Sequence, residues 1–299
     1  MKAANVAYVT YFVDDYQQSQ IDGVMAAISP DGGTLDIFNS DFDPEKMTLQ
    51  CQEAIDSGRY NVILLCPFDP PLGIASAAAA HAAGIPVIAV ESCTGEDPDE
   101  FMPQVPGIVG SSVATRKDFL YLQSEMVKKA CEGKDHCKVF IEIAAEGDPL
   151  TLSLVDKVNE LPNVEVVEVL AAEYDPSVIA RLMPEALKRH PDVDVYNAAG
   201  DQTAIAAIPA FEAAGLLGKV KIVGAGGSRA GKKAVEDGKF FSTSADYPYT
   251  FGKIAGEMAV KAVNGQKIDP PGVNAQYVKQ PSIVTKENVD QFDPEWGAE

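Results

Sequence analysis

Short apolar, β-rich runs alternate with helix-length segments along all 299 residues of this chain. Residues 6–10 are strand-like and 17–28 helix-like, stopped by Pro30 and Gly32-Gly33. Residues 34–38 form a second short strand, and Asp43-Pro44-Glu45 starts a helix with Asp as N-cap and Pro at the first helical position. Met47, Cys51, Ala54 and Ile55 mark one helical face. Val62-Ile63-Leu64-Leu65 is a wholly apolar strand, 75–83 an alanine-rich helix ended by Gly84, and 86–90 a strand. After a polar stretch over 91–106, helices over 114–129, 149–161, 176–190, 203–214 and 229–237 precede strands over 138–143, 164–169, 193–196, 220–223 and 240–245. Residues 250–264 make the last long helix. Strands alternating with helices give βαβ units and parallel sheets, and continuously apolar strands fit sheets covered on both faces. Roughly ten strands suit two open, doubly wound sheets better than one. A (β/α)₈ barrel is the structural rival.

The length gives a prior of about two domains, and 46% hydrophobic with 23% charged residues is the composition of a globular chain. Lys plus Arg number 24 against 44 Asp plus Glu, a formal charge of -20. That field opposes nucleic acid and anionic membrane surfaces as partners; a heavily solvated surface explains it without any partner. No apolar run reaches the ~18 residues of a membrane span. Met1-Lys2-Ala3-Ala4-Asn5 leads straight into Val6 without a charged n-region, a long apolar stretch or a cleavage motif. Two readings stay open on that observation: a cytoplasmic protein, or one whose signal peptide has been removed.

Five cysteines are too few for a disulfide scaffold. Cys131 and Cys137 flank the polar turn Glu132-Gly133-Lys134-Asp135-His136. A bridge there would close a small loop worth about 2 kcal/mol and would suit an oxidising compartment; two free thiols are the alternative. Zinc held by Cys131, His136 and Cys137 lacks a fourth ligand, with His81 and His190 far away in sequence.

Ligands of open α/β sheets bind beyond the carboxyl ends of the strands, so the residues just after each strand are the ones to inspect. They are 11–17, Pro67-Phe68-Asp69, Glu91-Ser92, Glu146-Gly147-Asp148, 197–201, Gly226-Gly227-Ser228-Arg229 and Asp246-Tyr247. Carboxylates and hydroxyls pair with the O–H groups of a polyhydroxylated solute, whose burial unpaired costs ~1–3 kcal/mol each. Aromatic faces cover the C–H face of a sugar ring. The plain alternative for Asp15, Asp148 and Asp201 is helix capping. Arg229 is the only Arg or Lys in this set, which favours a neutral or cationic solute over an acid.

Two motifs suggest other chemistry. Residues 226–233 nearly match the phosphate loop G-x-x-x-x-G-K-S/T, but Lys233 stands where the magnesium-binding hydroxyl belongs. Gly224-Ala225-Gly226 begins a dinucleotide fingerprint that Arg229 breaks. No clear Ser/His/Asp arrangement is present, and His190 sits by Pro191 at a helix end, where a cationic ring suits the dipole.

Several segments together resemble the periplasmic sugar-binding proteins of ABC importers with the type I, ribose-binding-like fold. They are 39–45 leading to Glu53-Ala54-Ile55-Asp56-Ser57-Gly58, then 62–70, 83–91 and Val109-Gly110-Ser111, and later Ile222-Val223-Gly224, 234–238 and 285–289. The resemblance covers nearly the whole chain in order. Sugar-responsive repressors share the same core but carry an N-terminal helix-turn-helix, whereas this sequence opens on a strand.

The resemblance implies an α/β fold of two doubly wound parallel-sheet lobes joined by a three-crossover hinge, with solute trapped by hinge closure. The lobes are expected over 1–111 plus 247–275 and over 112–246 plus 276–299. Position by position, the family's polar and aromatic contacts fall on Asp14, Tyr16, Gln17, Glu91, Ser92, Asp201 and Asp246, with an aspartate of the family replaced by Gly226. The family's arginines are missing at Ser92 and around 151–153. Tyr11, Phe12, Phe68 and Tyr174 are candidates to fill the space. The expected site is therefore Tyr11, Asp14, Tyr16, Gln17, Phe68, Glu91, Ser92, Asp148, Asp201 and Asp246.

The implied function is capture of a small neutral sugar or polyol for an ABC importer. No catalysis, metal or cofactor is expected. The implied partner is a membrane permease, not nucleic acid; the protein is expected to be a monomer, periplasmic or extracellular, associated with the membrane through its transporter. The competing readings are a small cationic solute held by Asp14, Glu91 and Asp246, a sensing receptor or regulatory module of the same fold, and an enzyme, either a phosphate-using one working through 226–232 or a small-molecule lyase or isomerase.

Overall fold

In the computed structural model, residues 1–144 and 146–298 are described, with backbone alone at Pro149 and Thr151. The chain separates into two compact units, Met1–Asp118 with Tyr247–Val278, and Phe119–Asp246 with Lys279–Glu299. We call them lobe one and lobe two.

Lobe one is built on β1 (Asn5–Thr10), β2 (Thr34–Asn39), β3 (Val62–Cys66), β4 (Val87–Ser92), β5 (Ile108–Ala114) and β11 (Gly272–Asn274), in the sheet order β11-β5-β4-β3-β1-β2. Every pairing in it is parallel. The period of two along each strand separates two cores. Ala7, Val9, Ile63 and Leu65 pack with Met47, Cys51 and Ala54 of α2 (Pro44–Asp56) and with Ala77 and Ala80 of α3 (Ile74–Ala82). Val6, Tyr8, Val62 and Leu64 face α1 (Asp15–Ile28) and α9 (Pro248–Val263). Asp43 caps α2, accepting from the N–H groups of Glu45 and Lys46, with Pro44 beginning the helix. The α1–α9 packing depends on small residues: a Cβ at Gly23 or Gly252 would collide with the Tyr249 or Gln20 carbonyl oxygen.

Lobe two repeats the plan with β6 (Cys137–Ile143), β7 (Val164–Ala171), β8 (Val195–Asn197), β9 (Lys221–Gly224), β10 (Ser242–Ser244) and β12 (Ile283–Thr285), in the order β12-β10-β9-β8-β6-β7. Among the described residues only the β10–β12 pairing is antiparallel. Val139, Ile141 and Val223 pack with Met126 and Val127 of α4 (Arg116–Ala130) and Leu154 and Val158 of α5 (Pro149–Asn159). Across the sheet, Phe140 meets His190 and Tyr196 meets Phe211, from α6 (Pro176–Arg189) and α7 (Asp201–Ala213) respectively, His190 being the cap of α6. Cys131 and Cys137 are joined by a disulfide that ties the end of α4 to the start of β6.

These two open sheets exclude the barrel. The sequence reading missed β5, because Gly110, Ser111 and Ser112 dilute its apolar pattern; it is a strand because it lies inside the sheet between β4 and β11. It also missed β11 and β12, each three residues long, below the span over which periodicity is readable.

Candidate functional site

Both sheets place the second strand at one edge and the first beside it, so the strand order reverses between β1 and β3 in lobe one and between β6 and β8 in lobe two. Carboxyl ends flanking such a reversal are where open α/β sheets bind ligands. In lobe one the residues there include Tyr11 after β1, Phe68 after β3 and Glu91 at the end of β4.

Glu91 is the centre of this edge. Its Oε1 accepts from the Tyr11 hydroxyl at 2.8 Å. Its Oε2 accepts from Gln17 Nε2 at 2.6 Å, Gln20 Nε2 at 3.2 Å and the Cys66 thiol at 3.4 Å. The Tyr8 hydroxyl donates to Gln20 Oε1 and lies 3.1 Å from Gln17 Oε1, continuing the network into the interior. Burial raises the Glu91 carboxyl above its ordinary value, against the lowering effect of the Gln17, Tyr11 and Cys66 donors. Burial, then the charge of Glu91, pushes the Cys66 thiol well up, so it is no nucleophile. Glu91 also holds φ at +64°. For a non-glycine residue that conformation costs of order 1–3 kcal/mol and survives only where the surroundings enforce it.

An aromatic cluster lies beside this network. Tyr11 meets Phe68 at 5.6 Å and Phe42 at 5.3 Å between ring centroids, and Phe42 meets Phe68 at 5.1 Å and Phe12 at 5.4 Å. Phe42 is 40% exposed, and the sequence reading did not include it. Asp41 and Phe42 hold φ at +53° and +61° in the loop after β2; Glu173 and Tyr174 hold +53° and +56° in the corresponding loop after β7. The signal was in the sequence: Asp41-Phe42-Asp43-Pro44 and Glu173-Tyr174-Asp175-Pro176 are the same acid-aromatic-Asp-Pro motif. In both copies the second Asp caps the helix that follows, with Pro as its first residue.

Asp14 caps α1, its carboxylate accepting from the Gln17 N–H at 3.0 Å, and burial raises it above its ordinary value. Tyr16 lies half-buried in the first turn of α1. Ser92 ends β4, its Oγ 3.5 Å from the Cys93 carbonyl oxygen. Recognising β5 as a strand adds a cation that the sequence reading left out. Arg116, just past β5, stands 3.7 Å from Asp69, just past β3. Arg229 is thus not alone near strand ends, although Asp69 balances the new charge.

In lobe two, Asp148 is buried before α5 and accepts from the Leu150 N–H at 3.2 Å. The arginine-poor segment 151–153 begins at Thr151, whose side chain lies outside the described residues. Asp246 follows β10, its N–H donating to the Gly226 carbonyl at 3.2 Å. Asp201 departs from the expected role. It is 0% exposed, and its oxygens accept from the Ser228 N–H at 2.6 Å, the Ser228 hydroxyl at 2.9 Å and the Thr243 hydroxyl at 2.7 Å. Gly224 and Gly231 lie so close that a Cβ on either would strike its carboxylate. Asp201 therefore joins the loop after β9 and the strand β10 to the start of α7, inside the lobe. Burial takes its carboxyl up to about 7. Glu142 of β6, buried with the Tyr196 hydroxyl donating to it, also rises to about 7 through burial.

The phosphate-loop reading fails on the same geometry. The N–H groups that would cradle a phosphate are taken: Ser228 donates to Asp201, Arg229 to the Trp296 carbonyl at 3.0 Å and Gly231 to the Ser228 hydroxyl at 2.8 Å. A buried carboxyl group occupies the position an anion would need. The zinc reading fails because Cys131 and Cys137 are bonded to each other. Among the described residues no group of three or more His, Cys, Asp or Glu is placed to hold a metal ion. His81, His136 and His190 lie near the starts of β4, β6 and β8, at the opposite edge of the sheets from the strand ends discussed above. Among the described residues no helix is long and apolar enough to cross a membrane.

Comparison with known proteins agrees with this architecture. The ribose import binding protein of Salmonella typhimurium is 34% identical over 116 residues, 39% of this chain and 37% of its own length. The matched region thus spans little more than a third of that relative. The ribose import binding protein of Escherichia coli is 27% identical over 271 residues, covering 89% of this chain and 85% of its own. The crystal structure of an ABC transporter solute binding protein from Bacillus halodurans, with bound myo-inositol, superposes with a TM-score of 0.80 at 21% identity, over 97% of this chain and 98% of that one. Residues 6–267 match the family model described as periplasmic binding protein domain. With two lobes of switch-point α/β topology and a match over most of its length, this chain belongs to the periplasmic binding protein domain family.

Proposed function

We propose that this protein is the solute-binding component of an ABC importer and that it captures a small neutral sugar or polyol. The observation that carries the reading is the chemistry at the carboxyl ends of the lobe-one strands. A carboxylate held by Tyr11 and Gln17 lies beside rings from Tyr11, Phe42 and Phe68. Hydroxyl pairing with an apolar ring cover is what a sugar or polyol requires. Arg116 is offset by Asp69, so this edge offers no dedicated anion clamp of the bidentate kind. The ribose import names of the relatives support the solute class.

Tyr11, Asp14, Tyr16, Gln17, Phe68, Glu91, Ser92, Asp148 and Asp246 are the proposed contacts, with Phe42 added and Asp201 assigned to the interior of lobe two. Capture works by differential affinity: solute stabilises the closed state because it binds that state more tightly. A membrane permease is the proposed partner, the periplasm or cell exterior the proposed location, and a monomer the proposed state. The disulfide supports an oxidising compartment. The role is capture and delivery, without chemistry on the solute.

A thermal-shift screen of the purified protein tests this, using pentoses, hexoses, tetritols, pentitols, inositols, small amines and ATP. A solute at 100 times its dissociation constant stabilises the folded state by about 2.7 kcal/mol, a shift of several degrees. Hits among sugars or polyols support the proposal. Hits confined to amines reassign Asp14, Glu91 and Asp246 as charge partners, and a shift with ATP alone overturns it.

A further inference from the structure

Gly226 carries no side chain, and lobe two fills the space beside it from elsewhere. A Cβ built on Gly226 would meet Trp296 Cζ2 at 2.7 Å, and φ at +99° already restricts the position to glycine. The Trp296 indole is 4% exposed, and its Nε1–H donates to the Gly226 carbonyl at 2.6 Å. That carbonyl also accepts from the Asp246 N–H at 3.2 Å. One oxygen thus couples the indole to the backbone of a proposed contact residue.

The rest of the segment after β12 is fastened to the same loop. A Cβ on Gly227, at φ +63°, would meet Phe292 Cζ at 2.9 Å. The Trp296 carbonyl accepts from the Arg229 N–H at 3.0 Å, and the Gly297 carbonyl accepts from Arg229 Nη1 at 2.9 Å. Lys279 pairs with Glu295 at 2.8 Å. The segment is held at Phe292 and from Glu295 to Gly297, and its two buried aromatic side chains, Phe292 and Trp296, rest on two consecutive glycines at the carboxyl ends of the lobe-two strands.

We propose that Trp296 is a specificity-determining positioning residue: it fills the space beside Gly226, fixes the 226–228 loop and the Asp246 backbone, and so sets which hydroxyl pattern lobe two accepts. The inference rests on the solute-binding reading above. It makes the segment after β12 part of the binding apparatus rather than a covering of the lobe. Ordering a loop before solute arrives removes an entropic cost of binding, and an Asp246 side chain carried on a fixed backbone discriminates between epimers better than a mobile one.

The test compares the full chain with Trp296→Phe, which keeps a ring and loses the indole N–H, and with Trp296→Ala. Affinities for D-ribose, D-arabinose, myo-inositol, erythritol and glycerol are measured by calorimetry, and backbone exchange at Gly227 and Asp246 by hydrogen–deuterium NMR. In Trp296→Phe we expect at least tenfold faster exchange at Asp246 and at least a fivefold change in the affinity ratio of the two best solutes. A common affinity loss that leaves the ratios within twofold, or unchanged exchange, overturns the proposal. Should Trp296→Ala fail to fold, Trp296→Phe alone decides. Should no solute in the panel bind the unaltered protein, the solute-class reading fails, while exchange at Asp246 still decides whether Trp296 holds the loop.

Discussion

Gln17 Nε2 lies 2.6 Å from Glu91 Oε2, joining the first turn of α1 to the end of β4 across 74 residues of sequence. The contact fixes a half-buried carboxylate in a backbone conformation that glycine would adopt more readily, at φ +64°. The orientation of Glu91 is therefore a property of α1, Tyr11 and the β3–β4 pair together.

Glu91→Ala should lower affinity for the solute identified in the screen by more than tenfold, about 1.4 kcal/mol. It also strands the Gln17 and Gln20 amide donors, costing a further ~1–3 kcal/mol of folding stability. Calorimetry and urea unfolding separate the two effects. Affinity kept within twofold would remove Glu91 from the site.

Stability should fall as pH rises from about 4 to about 7. The Glu142 and Asp201 carboxyls titrate at about 7 in the folded protein, against ordinary values of 4.5 and 3.8. The native state keeps these protons where the unfolded chain has lost them. Their contribution is full below the unfolded values, is lost as pH rises through the window up to about 7, and stays lost above it. Each group supplies roughly 3–4 kcal/mol of that change at most. Glu142→Gln should flatten the profile of unfolding free energy against pH by its share. A profile as steep as that of the unaltered protein would contradict burial as the cause.

Reduction of the Cys131–Cys137 bridge should cost about 2 kcal/mol, the chain entropy of a short closed loop. The expected reading is a lower urea midpoint for Cys131→Ser/Cys137→Ser, with sugar or polyol affinity changed less than twofold. The bridge ties α4 to β6 at the amino end of the lobe-two sheet, away from the carboxyl ends.

Gly252→Ala should destabilise lobe one by more than about 2 kcal/mol, in the range of overpacking. The new methyl would collide with the Gln20 carbonyl oxygen, a backbone atom that moves only if α1 and α9 separate. Separation of α1 would also move Gln17 and Asp14, so affinity should fall with stability. A melting temperature unchanged within a degree would show that the helices are not in close contact there.

The sequence by itself determined the α/β class, both open sheets and most strand ends, because alternation of apolar strands with helices is local and survives without tertiary context. It also carried the caps at Asp43 and Asp175, since an Asp-Pro helix start acts within one turn. Three things required the folded chain. The strand β5, with Gly110, Ser111 and Ser112 at its centre, and the three-residue strands β11 and β12 are recognisable only where neighbouring strands supply their hydrogen bonds. Asp201 was indistinguishable in sequence from Asp246, yet Ser228 and Thr243, 27 and 42 residues away, engage it inside lobe two. Trp296 reaches Gly226 across 70 residues. An indole that packs on a glycine so far away leaves no periodic or compositional trace, because volume is shared in space and not along the chain.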